Sequence, residues 1–99
     1  MQFIVIGYDG TDEQAQERRL AARPAHLEVA KKMHDSGRWL YAVAMLNDEQ
    51  KMIGSVIVCD FESRTALDEQ WLNSEPYVLG RVWEKIKVIQ GQVAPFWDK

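Results

Sequence analysis

"WLYAVAMLNDEQKMIGSVIVCDF", residues 39–61, decides how the chain folds. Two apolar runs, Trp39–Leu46 and Met52–Phe61, flank the short polar stretch "NDEQK". Each run is too short for an ordinary helix and rich in β-branched and aromatic residues, so both read as strands. A five-residue polar connection joins neighbouring antiparallel strands, so the pair is a hairpin.

Working outward, "QFIVIGYD" (residues 2–9) is a third apolar run, closed by the turn residues Asp9 and Gly10. At Thr11 the composition becomes helical in "TDEQAQERRLAA", with Thr11 as candidate cap, acids in the first turn, and Arg18 and Arg19 farther on, as the helix dipole favours. Pro24 interrupts this segment, because proline lacks an N–H and restricts the residue before it; either a kink or a fresh helix start is expected. The main helix runs on to Ser36, and Gly37 is its left-handed stop.

Beyond the hairpin, "SRTALDEQWLN" (residues 63–73) returns to helical spacing, with Ser63 as cap and Leu67 and Trp71 at i, i+4. Pro76 bounds it, and "RVWEKIKVIQGQV" (residues 81–93) alternates as a fourth strand. The order βαββαβ is that of the ferredoxin-like fold: an α+β domain with a four-stranded antiparallel sheet and two helices on one face. One domain is expected over residues 1–99.

Both helices on one side leave the other sheet face bare, yet the strands are apolar on nearly every residue. A second copy packing sheet to sheet would cover that face, so a homodimer is expected. The aromatics of the closing "APFWDK" are candidates for the same interface.

Composition bounds the function. The chain is 46% apolar and 27% charged, as for a soluble globular protein, and no apolar run approaches a membrane span. The start lacks the basic region and cleavage site of a signal peptide, which favours the cytoplasm. The formal net charge is −3 and the 12 Lys and Arg are scattered, so nucleic acid is not an expected partner. One cysteine and two histidines form no metal-site spacing, and no metal or cofactor is expected. Haem binding through His26 would lack a patterned second ligand.

The residue with most chemical promise is His26. On a helix, Glu28, Lys31, Lys32 and Asp35 share one stripe, while His26, Val29, Ala30 and Met33 share the opposite one. His26 thus faces the sheet, within the first turn if Pro24 restarts the helix. A carboxylate beside it would orient the ring and stabilise its charged form, as an acid/base residue requires. Asp9 and Glu75 are the two candidates. Without such a partner, His26 is a core histidine satisfied by local groups. His34, near the helix C-terminus, fits a structural role.

These segments together resemble the YciI-like family, small single-domain bacterial proteins. The resemblance rests on the strand ending in Asp9, "ERRLAARPAHL" (residues 17–27), "DSGRWL" (35–40), Gly54–Ser55 and "EPYV" (75–78). It implies a dimeric α/β-barrel assembly of ferredoxin-like subunits, with a cleft containing a histidine and an acid. His26 matches the family histidine, and Glu75 stands where relatives usually carry Asp.

The expected function is that of a small cofactor-independent enzyme, using a His-carboxylate pair for proton abstraction, elimination or isomerisation on a small organic molecule. Relatives with dehydrochlorinase-type activity point the same way. Arg23 would hold an anionic group through its guanidinium fork, Tyr77 would place a phenol at the pocket mouth, and Ser55 would hydrogen-bond the ligand. The alternative is a non-catalytic metabolite-binding or dimerisation module, in which Arg23 pairs with a local acid and Tyr77 is packing.

Overall fold

The computed structural model describes residues 1–97. Four strands, β1 (Gln2–Asp9), β2 (Trp39–Leu46), β3 (Met52–Asp60) and β4 (Trp83–Gly91), form one sheet in the order β2-β3-β1-β4, antiparallel throughout. This is the ferredoxin-like arrangement. Among the described residues, no helix is long and apolar enough to cross a membrane.

Helix α1 (Ala15–Asp35) packs on one face of the sheet. It does not begin at Thr11: Asp12 builds a turn first, its backbone carbonyl accepting from the Ala15 N–H at 3.1 Å and its Oδ2 from the Gln14 N–H at 3.2 Å. Nor does Pro24 restart it, because the helix is continuous and Pro24 lies inside. The missing N–H strands the carbonyl of residue 20, but Leu20 is 67% exposed, where water can solvate that group. His26 therefore stands mid-helix and not in a first turn.

The helix ends at Gly37, with φ of +78°. The Arg38 N–H reaches the Met33 carbonyl at 2.8 Å and the Gly37 N–H that of His34 at 3.0 Å. That pair of bonds is a Schellman stop.

Helix α2 (Arg64–Gln70) is capped by Ser63, whose Oγ accepts from the Ala66 N–H at 3.0 Å. It is shorter than the sequence suggests. After Gln70 the chain enters a 3-10 turn at Leu72–Ser74, then a four-residue helix, α3 (Pro76–Leu79). Proline at N1 and Glu75 at the N-cap start that helix, a feature read from sequence only as a boundary.

Alternation splits the sheet cleanly. Phe3, Val5, Ile57 and Cys59 face the helices and are buried, joined by Leu67, Trp71 and Phe61. Burial pushes the Cys59 thiol up to about 12. Of three register shifts, that between Met45 and Leu46 lies at the end of β2, and two alter the pattern: one between Trp39 and Tyr41, the other between Tyr8 and Asp9. They bring Trp39 and Trp83 onto the helix side, where both are at least 96% buried. Trp83 lies so close over Gly7 that a Cβ there would come within 2.3 Å of its indole, which accounts for glycine in mid-strand.

The other face carries Ile4 and Ile6 from β1, Val56 and Val58 from β3, Tyr41 and Val43 from β2, and Ile89 from β4. Tyr41 is 70% exposed there. Phe96 and Trp97 are also exposed; Asp98 and Lys99 of the same closing segment lie outside the described residues.

Candidate functional site

Helical periodicity sets the site's first row. Ala15, Arg19, Ala22, His26, Val29, Ala30 and Met33 recur at spacings of three and four along α1, so all turn toward the sheet. Arg19 and His26 are the polar members, each more than 90% buried. The second row comes from β1 and β3 as Asp9 and Ser55, and the third from the N-cap and first turn of α3 as Glu75 and Tyr77.

His26 Nδ1 lies 2.7 Å from Glu75 Oε2. Glu75 is fully buried and accepts two further bonds: Oε1 from Trp71 Nε1 at 2.9 Å, and Oε2 from the Tyr77 backbone N–H at 2.8 Å. A carboxylate accepts only, so Nδ1 carries the proton it shares with Glu75. That leaves Nε2 as the ring nitrogen for other partners. Tyr77 stacks on the imidazole at 3.8 Å between centroids and 9° between planes, while Trp39 and Trp83 close in at 5.8 and 6.2 Å. The ring is thus fixed in plane and in tautomer.

Asp9, the other candidate partner, pairs with Arg19 and not with His26. Both its oxygens accept from Arg19 Nη1, at 2.8 and 2.9 Å. Burial lifts the Asp9 carboxyl above its ordinary range, and the Arg19 charge opposes that rise. Arg19 Nη2 donates to the Gly54 carbonyl at 3.2 Å and to Ser55 Oγ at 3.1 Å, and its guanidinium carbon sits 4.7 Å from the Tyr77 ring centre.

Arg19 is the main polar residue of the site that sequence reasoning passed over. The signal was available, since Arg19 is seven residues before His26 on the same stripe. Treating Pro24 as a helix break interrupted that count.

A cavity of about 150 Å³ opens between α1 and the β2 edge, with Arg19, Arg23, His26, Ser55 and Tyr77 forming its polar wall. The apolar one includes Leu27, Ala30, Ala42, Ala44, Met52 and Ile57. Arg23 has no ion pair or hydrogen bond with any of the described residues and is partly exposed. Tyr77 is 1% exposed and belongs to the wall, not the mouth. Burial pushes its phenol above the usual range, against the pull of Arg19 and Arg23. His34 is exposed at the far end of α1, against Asp35. Among the described residues, no group of three or more His, Cys, Asp or Glu gathers as a metal site.

Comparison with known proteins adds three likenesses. The family described as the YCII-related domain matches residues 1–92. The protein YciI of Escherichia coli and that of Shigella flexneri are each 35% identical over 94 residues, spanning 89% of this chain and 93% of theirs. Among solved structures, 5-chloro-2-hydroxyhydroquinone dehydrochlorinase from Burkholderia phenoliruptrix, in complex with 2,5-dihydroxybenzoquinone, superposes with a TM-score of 0.80. That likeness covers 95% of this chain and 96% of the other at 17% identity, and it speaks to the fold.

Proposed function

The chain belongs to the YCII-related family, and from that premise we propose that it is a small-molecule enzyme in which His26 and Glu75 move a proton. The observation carrying this reading is the 2.7 Å contact between His26 Nδ1 and a fully buried carboxylate, in the wall of a cavity. A histidine so held offers Nε2 to the cavity as base. The positive charge that develops when Nε2 takes a proton is met by Glu75 across the ring.

Arg23, unpaired at the cavity wall, holds an anionic group of the substrate. Asp9 fixes Arg19, which in turn braces Ser55 and Tyr77. Proton abstraction next to an electron-withdrawing group leads on to elimination or isomerisation. The structural neighbour's named reaction, a dehydrochlorination, is an elimination and lends support to that class.

A second reading, a binding module without chemistry, draws support from the 8% exposure of His26, which a packed core histidine would share. The two separate in an isotope-exchange screen. Wild-type protein and a folded His26→Ala variant are incubated in D2O with enolisable ketones and hydroxylated aromatics, and deuterium uptake at carbon is followed by NMR. An exchange rate that falls by about 100-fold or more in the variant is the expected result, the range for loss of a general base. Equal rates in the two proteins would leave the binding module.

For the whole assembly, we propose a homodimer through the bare sheet face. The exposed Tyr41, Val43 and Ile89 on that face support it, because a monomer rarely leaves so continuous an apolar surface in water.

A further inference from the structure

A serine hydroxyl has one O–H to give and two lone pairs to offer. At Ser55 both lone pairs are taken: Arg19 Nη2 donates to Oγ at 3.1 Å and Trp83 Nε1 at 3.3 Å. Neither neighbour can accept in return. Ser55 is 4% exposed, and its O–H meets no acceptor among the described residues. The direction left to it is toward the cavity it lines.

We infer that Ser55 is the specificity residue of this cavity, a hydroxyl locked as donor that selects ligands presenting a carbonyl or oxyanion oxygen. The inference rests on the reading above that the cavity takes a small organic molecule. Arg19 and Trp83 are positioning residues in this scheme. Arg19 cannot swing away, because Asp9 holds its Nη1 and the Gly54 carbonyl its Nη2. Trp83 cannot either, pressed against the backbone of Gly7.

The rest of the wall agrees. Arg23, which has no partner among the described residues, is also a donor only, so amines and ammonium ions find few acceptors in the wall, chiefly His26 Nε2 and the Tyr77 hydroxyl oxygen. Leu27, Ala30, Met52 and Ile57 are among the residues of the apolar remainder. The volume, about 150 Å³, is that of cavities which hold a single six-membered ring.

The test uses two single rings of similar size, cyclohexanone with an acceptor oxygen and toluene without one. Each is titrated into the ¹⁵N-labelled full chain while the Trp83 indole N–H resonance is followed. Cyclohexanone is expected to bind about tenfold more tightly than toluene, the worth of one good hydrogen bond, and to shift that resonance. In Ser55→Ala the two affinities should come within about twofold, and Ser55→Thr should restore the gap. Should Ser55→Ala unfold, Ser55→Cys, whose thiol is a weak donor, serves the same comparison. Trp83→Phe frees one lone pair, lets the hydroxyl turn, and should narrow the preference. A preference for cyclohexanone that persists in Ser55→Ala overturns the inference alone. Failure of both rings to bind the folded wild type overturns both it and the cavity-binding reading.

Discussion

Replacing Glu75 by glutamine conserves size and removes the charge, but it also turns one acceptor oxygen into a donor NH2. Three N–H groups now converge on that carboxylate, from His26, Trp71 and Tyr77. At least one must lose its partner in a site with no water exposure. The expected cost is about 1–3 kcal/mol, seen as a lower urea midpoint, together with loss of the His26-dependent activity. A variant as stable as wild type would mean that the carboxylate is not the hub described. The pairing of His26 with an acid was legible from sequence as a choice between two residues, but the choice itself was not. Asp9 and Glu75 are both separated from His26 by long stretches of chain, and only the α3 turn and the Arg19 side chain decide which carboxylate reaches it.

At the scale of elements, α1 taught the most. Its stop at Gly37 was readable because a left-handed residue leaves a clear mark in sequence. Its start was not, since the Asp12 turn substitutes for a side-chain cap and Gln14 at the N-cap contributes none. Arg18 secures that turn with two bonds to Asp12, at 2.8 and 2.6 Å. The Arg18 hydrogen bonds hold the Asp12 carboxyl well down, to about 2 from the ordinary 3.8. A depressed folded pKa contributes stability above the unfolded value that is lost as pH falls through the folded one. The window therefore runs from about pH 4 down to about pH 2, with its lower end at the folded pKa. In Arg18→Ala the stability lost on acidification across that window should be smaller than in wild type. Thermal melts from pH 5 to pH 2, with ¹³C titration of the Asp12 carboxyl, measure both. An unchanged Asp12 midpoint in the variant would refute the pairing.

For the whole molecule, the apolar runs that revealed the fold also revealed its unfinished surface. Strand identity and sheet order follow from patterning, because the hairpin and the crossing helices leave few other arrangements. The bulges that place Trp39 and Trp83 on the helix side do not follow, as a one-residue register shift leaves composition untouched. The bare face yields a prediction that separates monomer from dimer. Val43 and Ile89 are 47% and 48% exposed in the single chain, so Val43→Glu and Ile89→Glu should hardly disturb a monomer, within about 0.5 kcal/mol. In a dimer each would bury a charge. Light scattering should give twice the chain mass for wild type at micromolar concentration and the single mass for the double variant; a wild type already at the single mass would end the dimer proposal.

Glu75 both opens α3 and holds His26. Four residues, Pro76–Leu79, therefore govern whether the imidazole is held at all. When that turn frays, the carboxylate leaves the ring even though the sheet and α1 remain folded. The temperature at which the pairing fails should then lie below the temperature at which the domain melts. Warming would produce intact molecules with a slack histidine before it produces unfolded ones.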